Sequence, residues 1–225
     1  MKVILFGATG MIGEGALIEC LEDDAVDAVL AVVRRPSGRE HPKLTELIHQ
    51  DFLDYSGAEA QLTGYDACLY CLGISAGGMS ESDYRRITYD FTVAAADTLL
   101  RLNPSMRMCF ISGAGTDVSS RQMWARVKGE AEQYLLAQPW GAVHMFRPAG
   151  ILPQKGVVSG VRSYRVMYKL LGWAFPLFKA LAPNQLCTSV ELGRALIHVA
   201  LAGHPEPILE GADINAAGAL TQPRP

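Results

Sequence analysis

The chain has 225 residues, of which 49% are hydrophobic and 19% are charged, with a formal net charge of −3 at pH 7. This length and composition suit a folded α/β domain with its own core and exclude an intrinsically disordered chain. The small negative charge offers no electrostatic basis for binding nucleic acid, so we expect no nucleic-acid partner.

The cysteines and apolar segments bear on where the protein resides. Five cysteines in a chain with a large core do not indicate a disulfide framework. Cys68 and Cys71 form a C-x-x-C, but they lie in a predicted buried strand, which favours packing over redox chemistry. The apolar N-terminus is too short for a signal peptide, and no apolar run approaches membrane-spanning length. We therefore expect a soluble cytoplasmic protein.

Predicted strands and helices alternate along the chain. Apolar runs predict strands at residues 2–6, 28–33, 44–49, 67–72, 107–112 and 142–147. Helical spacing of apolar residues predicts helices at residues 11–21, 81–102, 122–137, 160–171 and 190–201. This alternation is typical of βαβ units and predicts a doubly wound parallel sheet.

The domain organisation is expected to be simple, because no linker or repeat divides the chain. We predict a single domain over residues 1–225. After Pro148 the alternation weakens and helices dominate. Residues 151–225 are therefore expected to form a small, mainly helical segment that covers the substrate, with residues 218–225 as a loose tail.

A glycine-rich loop follows the first predicted strand. It reads Gly7-Ala8-Thr9-Gly10-Met11-Ile12-Gly13 and leads into an amphipathic helix. In such loops the glycines allow a tight turn, a close approach of the backbone to a pyrophosphate, and packing of the helix on the strand. The helix N-terminus then presents free N–H groups to the phosphates. The loop in this context predicts a Rossmann-type dinucleotide site.

The end of the second predicted strand bears on which dinucleotide binds. NAD-selective sites place an Asp or Glu there to bond the ribose 2′-hydroxyl. Here the strand is followed by Arg34 and Arg35. Because the planar guanidinium fork matches phosphate oxygens, the pair favours NADP(H) over NAD(H).

Several short motifs together resemble the short-chain dehydrogenase/reductase superfamily, and more narrowly its atypical Tat-interacting-protein-like and NAD(P)H-binding (NmrA-like) members. The motifs run in family order across nearly the whole chain: the glycine loop, Val33-Arg34-Arg35, Gln50-Asp51-Phe52, Cys71-Leu72-Gly73, Ile111-Ser112-Gly113, residues 127–132, Phe146-Arg147-Pro148-Ala149-Gly150 and Thr188-Ser189-Val190.

The resemblance implies a role for each matching position. Asp51 would face the adenine amino group with Phe52 beside the ring, and Leu72 and Gly73 would line the adenosine side. Lys128 would bond the nicotinamide ribose hydroxyls. Residues 148–151, from Pro148 to Ile151, would flank the nicotinamide.

The catalytic residues depart from the pattern of the superfamily, which uses a Tyr-x-x-x-Lys pair on one helix and a serine after the fifth strand. Lys128 is present, but Trp124 stands at the tyrosine position. An indole N–H can donate a hydrogen bond but cannot act as a general acid. The serine is also displaced, since Gly113 occupies the position expected for the catalytic serine and Ser112 lies one residue before it. Ser112 and Lys128 remain the candidate catalytic residues.

Three interpretations of the missing tyrosine stay open. Another acid could replace it, with Tyr89, Tyr164 and Tyr168 as candidates. Solvent could supply the proton, as in some quinone reductions. Alternatively, the protein could bind NADP(H) without turnover, as a sensor or partner-binding module. We favour an NADP(H)-dependent reductase of a small carbonyl or quinone-like compound.

The remaining expectations concern metals, membranes and assembly. The histidines lack ligand spacing with Cys, Asp or Glu, so no metal site is predicted. Residues 162–179 mix basic and aromatic side chains, and we favour a lid over the substrate cleft rather than contact with a membrane surface. The chain is expected to be a monomer or a homodimer.

Overall fold

The architecture is taken from a computed structural model that describes residues 1–157 and 182–220. Its strands, numbered in chain order, are β1 (Lys2–Phe6), β2 (Ala28–Val33), β3 (Leu44–Ile48), β4 (Ala67–Tyr70), β5 (Arg107–Ile111), β6 (Ala142–Phe146), β7 (Gly150–Leu152), β8 (Leu186–Thr188) and β9 (Ile208–Leu209). The described α-helices are α1 (Met11–Glu22), α2 (Glu59–Leu62), α3 (Glu81–Arg85), α4 (Phe91–Leu102), α5 (Met123–Leu136), α6 (Ser189–Ala202) and α7 (Gly211–Leu220).

Seven strands form one parallel sheet in the order β3-β2-β1-β4-β5-β6-β9. The strand order reverses between β1 and β4, which places a crevice at the carboxyl ends of these two strands. In open α/β sheets, ligands bind at such a point. The predicted Rossmann-type α/β fold is therefore confirmed.

The core lies on both faces of the sheet, as alternate residues of β1 show. Val3 and Leu5 pack in a cluster that includes residues of α1 and α6. Ile4 and Phe6 pack in a second cluster that includes residues of α4 and α5. Burial on both faces explains why β1 is a continuous apolar run rather than an alternating one.

The strand and helix predictions agree with the structure to within two residues in the first 147 residues, with one internal difference. The predicted helix 81–102 contains a π-helical stretch, Arg86–Asp90, between α3 and α4. The short helix α2 was also not predicted. Four residues give too little periodicity to recognise.

The C-terminal part differs more from prediction. β7 and β8 pair in parallel as a separate two-stranded sheet, and β9 joins the main sheet beside β6. None of these three strands was predicted, because strands of two or three residues leave no recognisable pattern in the sequence. The prediction of a loose tail from Gly218 is wrong in part, since α7 continues to Leu220. The predicted helix 160–171 and the lid segment 162–179 lie outside the described residues.

Candidate cofactor and active site

The glycine loop connects β1 to α1 at the reversal of strand order. Gly7 has a φ of +79°, and a Cβ there would lie 2.6 Å from the carbonyl oxygen of Cys71. A Cβ on Gly13 would lie 2.0 Å from the carbonyl oxygen of Gly7. Both positions therefore exclude a side chain. A Cβ on Gly10 would reach only 3.4 Å from the same oxygen, so the fold does not require glycine there.

The N-terminus of α1 lies at the crevice without a side-chain cap. Its N-cap is Gly10, which has no side chain to accept the first helical N–H groups. The amides of residues 11–13, in the first turn, have no partner within the helix, as at any helix start. Thr9 and Gly10 are exposed, Met11 and Ile12 are half-buried, and Gly13 is buried. A loop without side-chain bulk and an uncapped helix start form a cradle that fits a pyrophosphate.

Arg34 and Arg35 follow β2 at the same edge of the sheet, and both are exposed. Within residues 1–157 and 182–220, neither guanidinium makes an ion pair. The carboxylate of Glu46, on the adjacent strand β3, accepts the backbone N–H of Ser37 at 3.0 Å. The loop after β2 therefore presents two guanidiniums, while the nearest carboxylate of β3 is already bonded.

The predicted adenine contacts sit in a turn after β3. The Asp51 carboxylate accepts the N–H of Leu53 at 3.0 Å, and the side chain is exposed. The Phe52 ring is only 4% exposed and packs against Phe6 and Phe91. Its ring therefore belongs to the core and offers little surface to a base. The predicted roles of Asp51 and Phe52 stay predictions.

The other predicted cofactor positions follow β4 and β6. Leu72 is half-buried and Gly73 is exposed, with no atom within 4 Å of a Cβ built on it. Pro148 is buried and its carbonyl accepts the N–H of Ala114 at 3.1 Å. Ile151 lies in β7, half-buried. The fold thus brings the predicted positions to the carboxyl edge of the sheet, from the β2 end to the β6 end.

Trp124 lies in the first turn of α5, against the loop that follows β5. Its ring atoms would contact a Cβ built on Gly113 or Gly115 at 3.7 and 3.8 Å. Its indole N–H donates to the Gln122 side chain at 2.8 Å. The indole therefore rests on the loop that carries the candidate serine, and its one donor is engaged.

Ser112 is buried and already hydrogen-bonded. Its hydroxyl lies 3.0 Å from that of Thr116, which donates to the carbonyl of Gly113 at 2.8 Å. Thr116 was not predicted as part of the site, because no motif distinguishes it from other loop threonines. The Ser112–Thr116 pair braces the loop beneath Trp124.

Lys128 lies one turn beyond Trp124 on α5 and reaches the end of β5. Its ammonium donates to the carbonyl oxygen of Ile111 at 3.2 Å and lies 5.8 Å from the centre of the Phe110 ring. Burial lowers the pKa of Lys128 to about 8, although the charge of Glu132 acts in the opposite direction. Lys128 is half-buried and places a cation with a lowered pKa at the carboxyl edge of the sheet.

Glu132, one turn further along α5, is buried and bound to Arg147. The guanidinium donates from Nε at 2.9 Å to one carboxylate oxygen and from Nη2 at 2.5 Å to the other. This bidentate pair raises the pKa of Arg147, first through the hydrogen bond to Glu132. Sequence reasoning missed the pair, because fifteen residues separate its members and only the fold joins them.

Tyr89 was one candidate for a replacement acid. Its ring packs edge-on against Tyr134 at 6.2 Å and under the guanidinium of Arg85 at 5.3 Å. These contacts place Tyr89 between the long helices rather than at the Lys128 position. The other two candidates, Tyr164 and Tyr168, lie outside the described residues.

A cavity also opens at the opposite, amino edge of the sheet. Its charged groups are engaged: Asp66 accepts the N–H of Lys2 at 2.7 Å, and Arg107 donates to the carbonyl of Ala200 at 2.7 Å. Searched over the described ranges, the chain shows no cluster of metal-ligating side chains. Over the same ranges, helices of the length and apolar character needed to cross a bilayer are absent.

No protein-family model matches the chain. It is 24% identical over 253 residues to leucinostatins biosynthesis cluster protein T of Purpureocillium lilacinum, which covers 100% of this chain and 91% of the relative. It is 24% identical over 154 residues to protein HTATIP2 of Rattus norvegicus, covering 67% of this chain and 63% of the relative.

Solved structures share the fold at low sequence identity. A UDP-N-acetylglucosamine 4-epimerase from Methanobrevibacter ruminantium superposes with a TM-score of 0.65 at 16% identity, covering 90% of this chain and 74% of the epimerase. The enzyme WbmH of Bordetella bronchiseptica, in complex with NAD+, superposes with a TM-score of 0.62 at 17% identity, covering 89% and 72%. Together with HTATIP2, these findings support the resemblance to the atypical short-chain dehydrogenase/reductase superfamily.

The relatives contradict the expected cytoplasmic location. Proteins named "FMP52, mitochondrial" match from Eremothecium gossypii, Meyerozyma guilliermondii, Emericella nidulans and Candida albicans. The Meyerozyma protein is 25% identical over 231 residues, covering 96% of this chain and 94% of the relative. The cytoplasmic expectation rested on the lack of a recognisable targeting segment, which is a weak argument beside named relatives.

Proposed function

We propose that this chain, whose fold and relatives support the resemblance to the atypical short-chain dehydrogenase/reductase superfamily, is an NADP(H)-dependent oxidoreductase. The observation that carries the proposal is the cradle between β1 and α1. Gly7 and Gly13 cannot carry side chains, and the α1 start has no cap, so the backbone can approach a pyrophosphate closely. Structural neighbours that were solved with NAD+ support a nicotinamide dinucleotide as the ligand.

The preference for NADP(H) rests on the end of β2. Arg34 and Arg35 are exposed there and make no ion pair within the described residues. A ribose 2′-phosphate would give both guanidiniums an anionic partner, whereas a 2′-hydroxyl needs a carboxylate acceptor. We propose that these two arginines bind the 2′-phosphate.

The rest of the cofactor would lie along the carboxyl edge of the sheet. We propose that Asp51, Phe52, Leu72 and Gly73 form the adenosine side, with Lys128 near the nicotinamide ribose. Residues 148–151 would then flank the nicotinamide. When bound, the reduced nicotinamide supplies a hydride. The residues of the chain supply binding, orientation and the proton.

The substrate proposed is a small carbonyl or quinone-like compound. When a carbonyl compound is reduced, negative charge develops on its oxygen, and that oxygen needs a proton. A quinone can instead take its protons from water. Trp124 cannot serve as that acid, because an indole N–H does not ionise at accessible pH and is bonded to Gln122. Both substrate classes therefore belong in the test.

The lack of an acid at Trp124 favours a second candidate function, in which the protein binds NADP(H) as a sensor without turnover. The indole rests on the loop after β5, and the Ser112 hydroxyl is buried against Thr116. A binding protein would need the cradle and the arginines but no proton donor. Binding alone cannot separate the two candidates, so turnover must be measured.

The test combines calorimetry with an activity panel. Purified protein is titrated with NADPH, NADP+ and NADH, and NADPH oxidation is then followed with aldehydes, ketones and quinones. We expect NADPH to bind more tightly than NADH and to be oxidised by at least one substrate. Lys128→Ala should weaken that oxidation.

Each other outcome has a defined meaning. Tight NADPH binding without turnover on any substrate supports the sensor. A folded protein that gives no heat with any pyridine nucleotide contradicts both candidates, because both depend on the cradle between β1 and α1.

A further inference from the structure

A titratable group lies one helical turn from the position of the missing tyrosine. That group is Lys128, on the same face of α5 as Trp124 and one turn away. Ser112 is committed to Thr116, and the Trp124 donor is committed to Gln122. Lys128 donates to the backbone carbonyl of Ile111 and holds further N–H groups free of that bond, since an ammonium has three donors.

The electrostatic surroundings of Lys128 differ from those of an ordinary structural lysine. Glu132 is the carboxylate one turn away, and Arg147 takes both of its oxygens. β5 faces the ammonium with a carbonyl oxygen and the Phe110 ring. The described charged groups nearest to this arrangement are Glu132 on the same helix, Arg147 at the end of β6, and Glu210, whose carboxylate lies 3.4 Å from a second nitrogen of the Arg147 guanidinium. None of these groups neutralises the ammonium by direct contact.

From this geometry we infer that Lys128 itself donates the proton to the substrate oxygen, in the place of the absent tyrosine, and that the Arg147–Glu132 pair positions it to do so. The inference rests on the proposed reductase function. It gives Lys128 a role at the reacting oxygen, beyond bonding the ribose.

The step balances with the reduced nicotinamide dinucleotide as hydride donor. The carbonyl carbon gains a hydride, and the C=O π electrons form a bond from oxygen to a proton taken from the Lys128 ammonium. The products are an alcohol, the oxidised dinucleotide and a neutral amine. Water then returns a proton to the amine. The lysine loses its positive charge in the same step in which the nicotinamide gains one, so two neighbouring cations form only when the amine is protonated again, and their repulsion then favours release of the oxidised dinucleotide.

The Arg147–Glu132 pair has a specific task in this arrangement. A free Glu132 carboxylate would hold the Lys128 proton by direct pairing, and the pKa of the lysine would rise. Burial lowers the pKa of Lys128 to about 8, against the opposing charge of Glu132. In this inference Arg147, which occupies both oxygens of Glu132, keeps that carboxylate from pairing with the ammonium. An acid whose pKa lies near the working pH transfers its proton most efficiently. Arg147 is therefore a positioning residue and Lys128 a catalytic one.

The first experiment measures the Lys128 titration directly. The lysines are methylated reductively with 13C-formaldehyde and followed by NMR across pH, with the Lys128 signal assigned by its absence in Lys128→Arg. We expect a midpoint near 8 in the wild type. Arg147→Gln should raise the midpoint and Glu132→Gln should lower it. Because the two variants move the midpoint in opposite directions, general loosening of the fold cannot imitate the result.

The second experiment measures turnover of the carbonyl substrate found in the panel. The rate should fall as pH rises through the midpoint, since the donor must be protonated. Lys128→Arg keeps a cation and its donors but cannot release a proton at accessible pH. It should keep NADPH affinity within about fivefold and lose roughly 100-fold or more in turnover. Lys43→Arg, at the amino edge of the sheet, is the matched control and should change neither quantity.

The outcomes separate this inference from the function on which it rests. NADPH binding without turnover of any aldehyde, ketone or quinone contradicts the reductase itself, whereas turnover of quinones alone overturns the role of Lys128 as proton donor. Carbonyl turnover that Lys128→Arg retains contradicts only the role of Lys128. A Lys128 midpoint above 10, or one that does not respond to Arg147→Gln and Glu132→Gln, also overturns the inference.

Discussion

At the scale of single residues, the preference for one dinucleotide depends on Arg34 and Arg35. Both guanidiniums are exposed at the end of β2. Charge-assisted bonds to phosphate contribute about 1.5–3 kcal/mol each. Replacing both with Ala should weaken NADPH binding about 100-fold or more, while NADH binding should change by less than about fivefold. Calorimetric titration of both cofactors measures the difference.

The control for this prediction is Arg39→Ala. Arg39 lies in the same loop, but its guanidinium pairs with Glu14 at 3.5 Å. Arg39→Ala should change the ratio of NADPH affinity to NADH affinity less than replacement of Arg34 and Arg35 does. An equal loss of both cofactors in the Arg34/Arg35 double variant would show that these arginines do not recognise the 2′-phosphate.

Trp124 is the second position where one residue decides the chemistry. Trp124→Tyr would place a phenol one turn before Lys128, and the nearby cation would lower the pKa of that phenol. Carbonyl reduction should then rise about 10- to 100-fold over the wild type. The assay is NADPH oxidation at fixed substrate, and Trp124→Phe, which lacks the hydroxyl, should show no rise. An unchanged rate in Trp124→Tyr would mean that proton transfer does not limit turnover.

At the scale of elements, the glycine loop contains one glycine that the fold requires and another that we expect to matter only for binding. A Cβ on Gly13 would lie 2.0 Å from the Gly7 carbonyl oxygen, so Gly13→Ala should destabilise the fold by about 1–3 kcal/mol. A Cβ on Gly10 would lie 3.4 Å from the same carbonyl oxygen, and the φ of −92° at Gly10 suits any residue. Gly10→Ala should therefore cost less than about 1 kcal/mol, which reflects its weaker capping.

The Gly10→Ala and Gly13→Ala variants also test whether the loop between β1 and α1 binds NADPH. Gly10→Ala should lose about tenfold or more in NADPH affinity despite normal folding, because its methyl group would stand where the phosphates approach the backbone. Urea unfolding and calorimetry give the two quantities for each variant. Full NADPH affinity in folded Gly10→Ala would place the phosphates elsewhere.

Sequence patterns predicted most elements because their physical causes are local. The parallel strands are buried on both faces and read as apolar runs, and the long helices carry an apolar stripe. β7 and β9 escaped prediction, since their two or three residues form strands only through pairing with distant partners. The π-helical stretch at Arg86–Asp90 likewise leaves no signature in residue spacing.

At the scale of the whole molecule, a buried carboxylate joins three separate parts of the chain. Glu19 on α1 is 5% exposed and pairs with Lys155 at 2.6 Å and with Arg194 of α6 at 3.0 Å. Lys155 also pairs with Glu22 and has a φ of +54°. The cluster therefore holds the segment after β7 and helix α6 against the helix of the cradle.

Glu19→Gln should destabilise the protein by roughly 2–4 kcal/mol, because it removes the carboxylate that two half-buried cations share. Glu22→Gln is the matched control. Its carboxylate is 59% exposed, so the change should cost less than about 1 kcal/mol. Urea unfolding of the two variants at neutral pH measures both. Equal stability of the two variants would mean that the cluster does not hold these parts together.

The amino-acid sequence by itself determined the α/β class, the glycine loop and its place after the first strand, since all three follow from neighbouring residues. It also indicated the two arginines and the tryptophan in the tyrosine position, because their spacing from recognisable motifs is short. The proposed roles of those residues remain to be tested by the variants above.

Only the tertiary structure decided which distant side chains meet. Arg147 binds Glu132, and Lys128 forms no ion pair with a carboxylate in the part of the chain that the structure describes; Thr116 engages Ser112. Lys155 and Arg194 reach Glu19 from far along the chain. The pKa of Lys128 follows from its burial and from the charge of Glu132, and all of these contacts depend on distances between elements. Neither burial nor these distances are encoded in the spacing of residues along a chain.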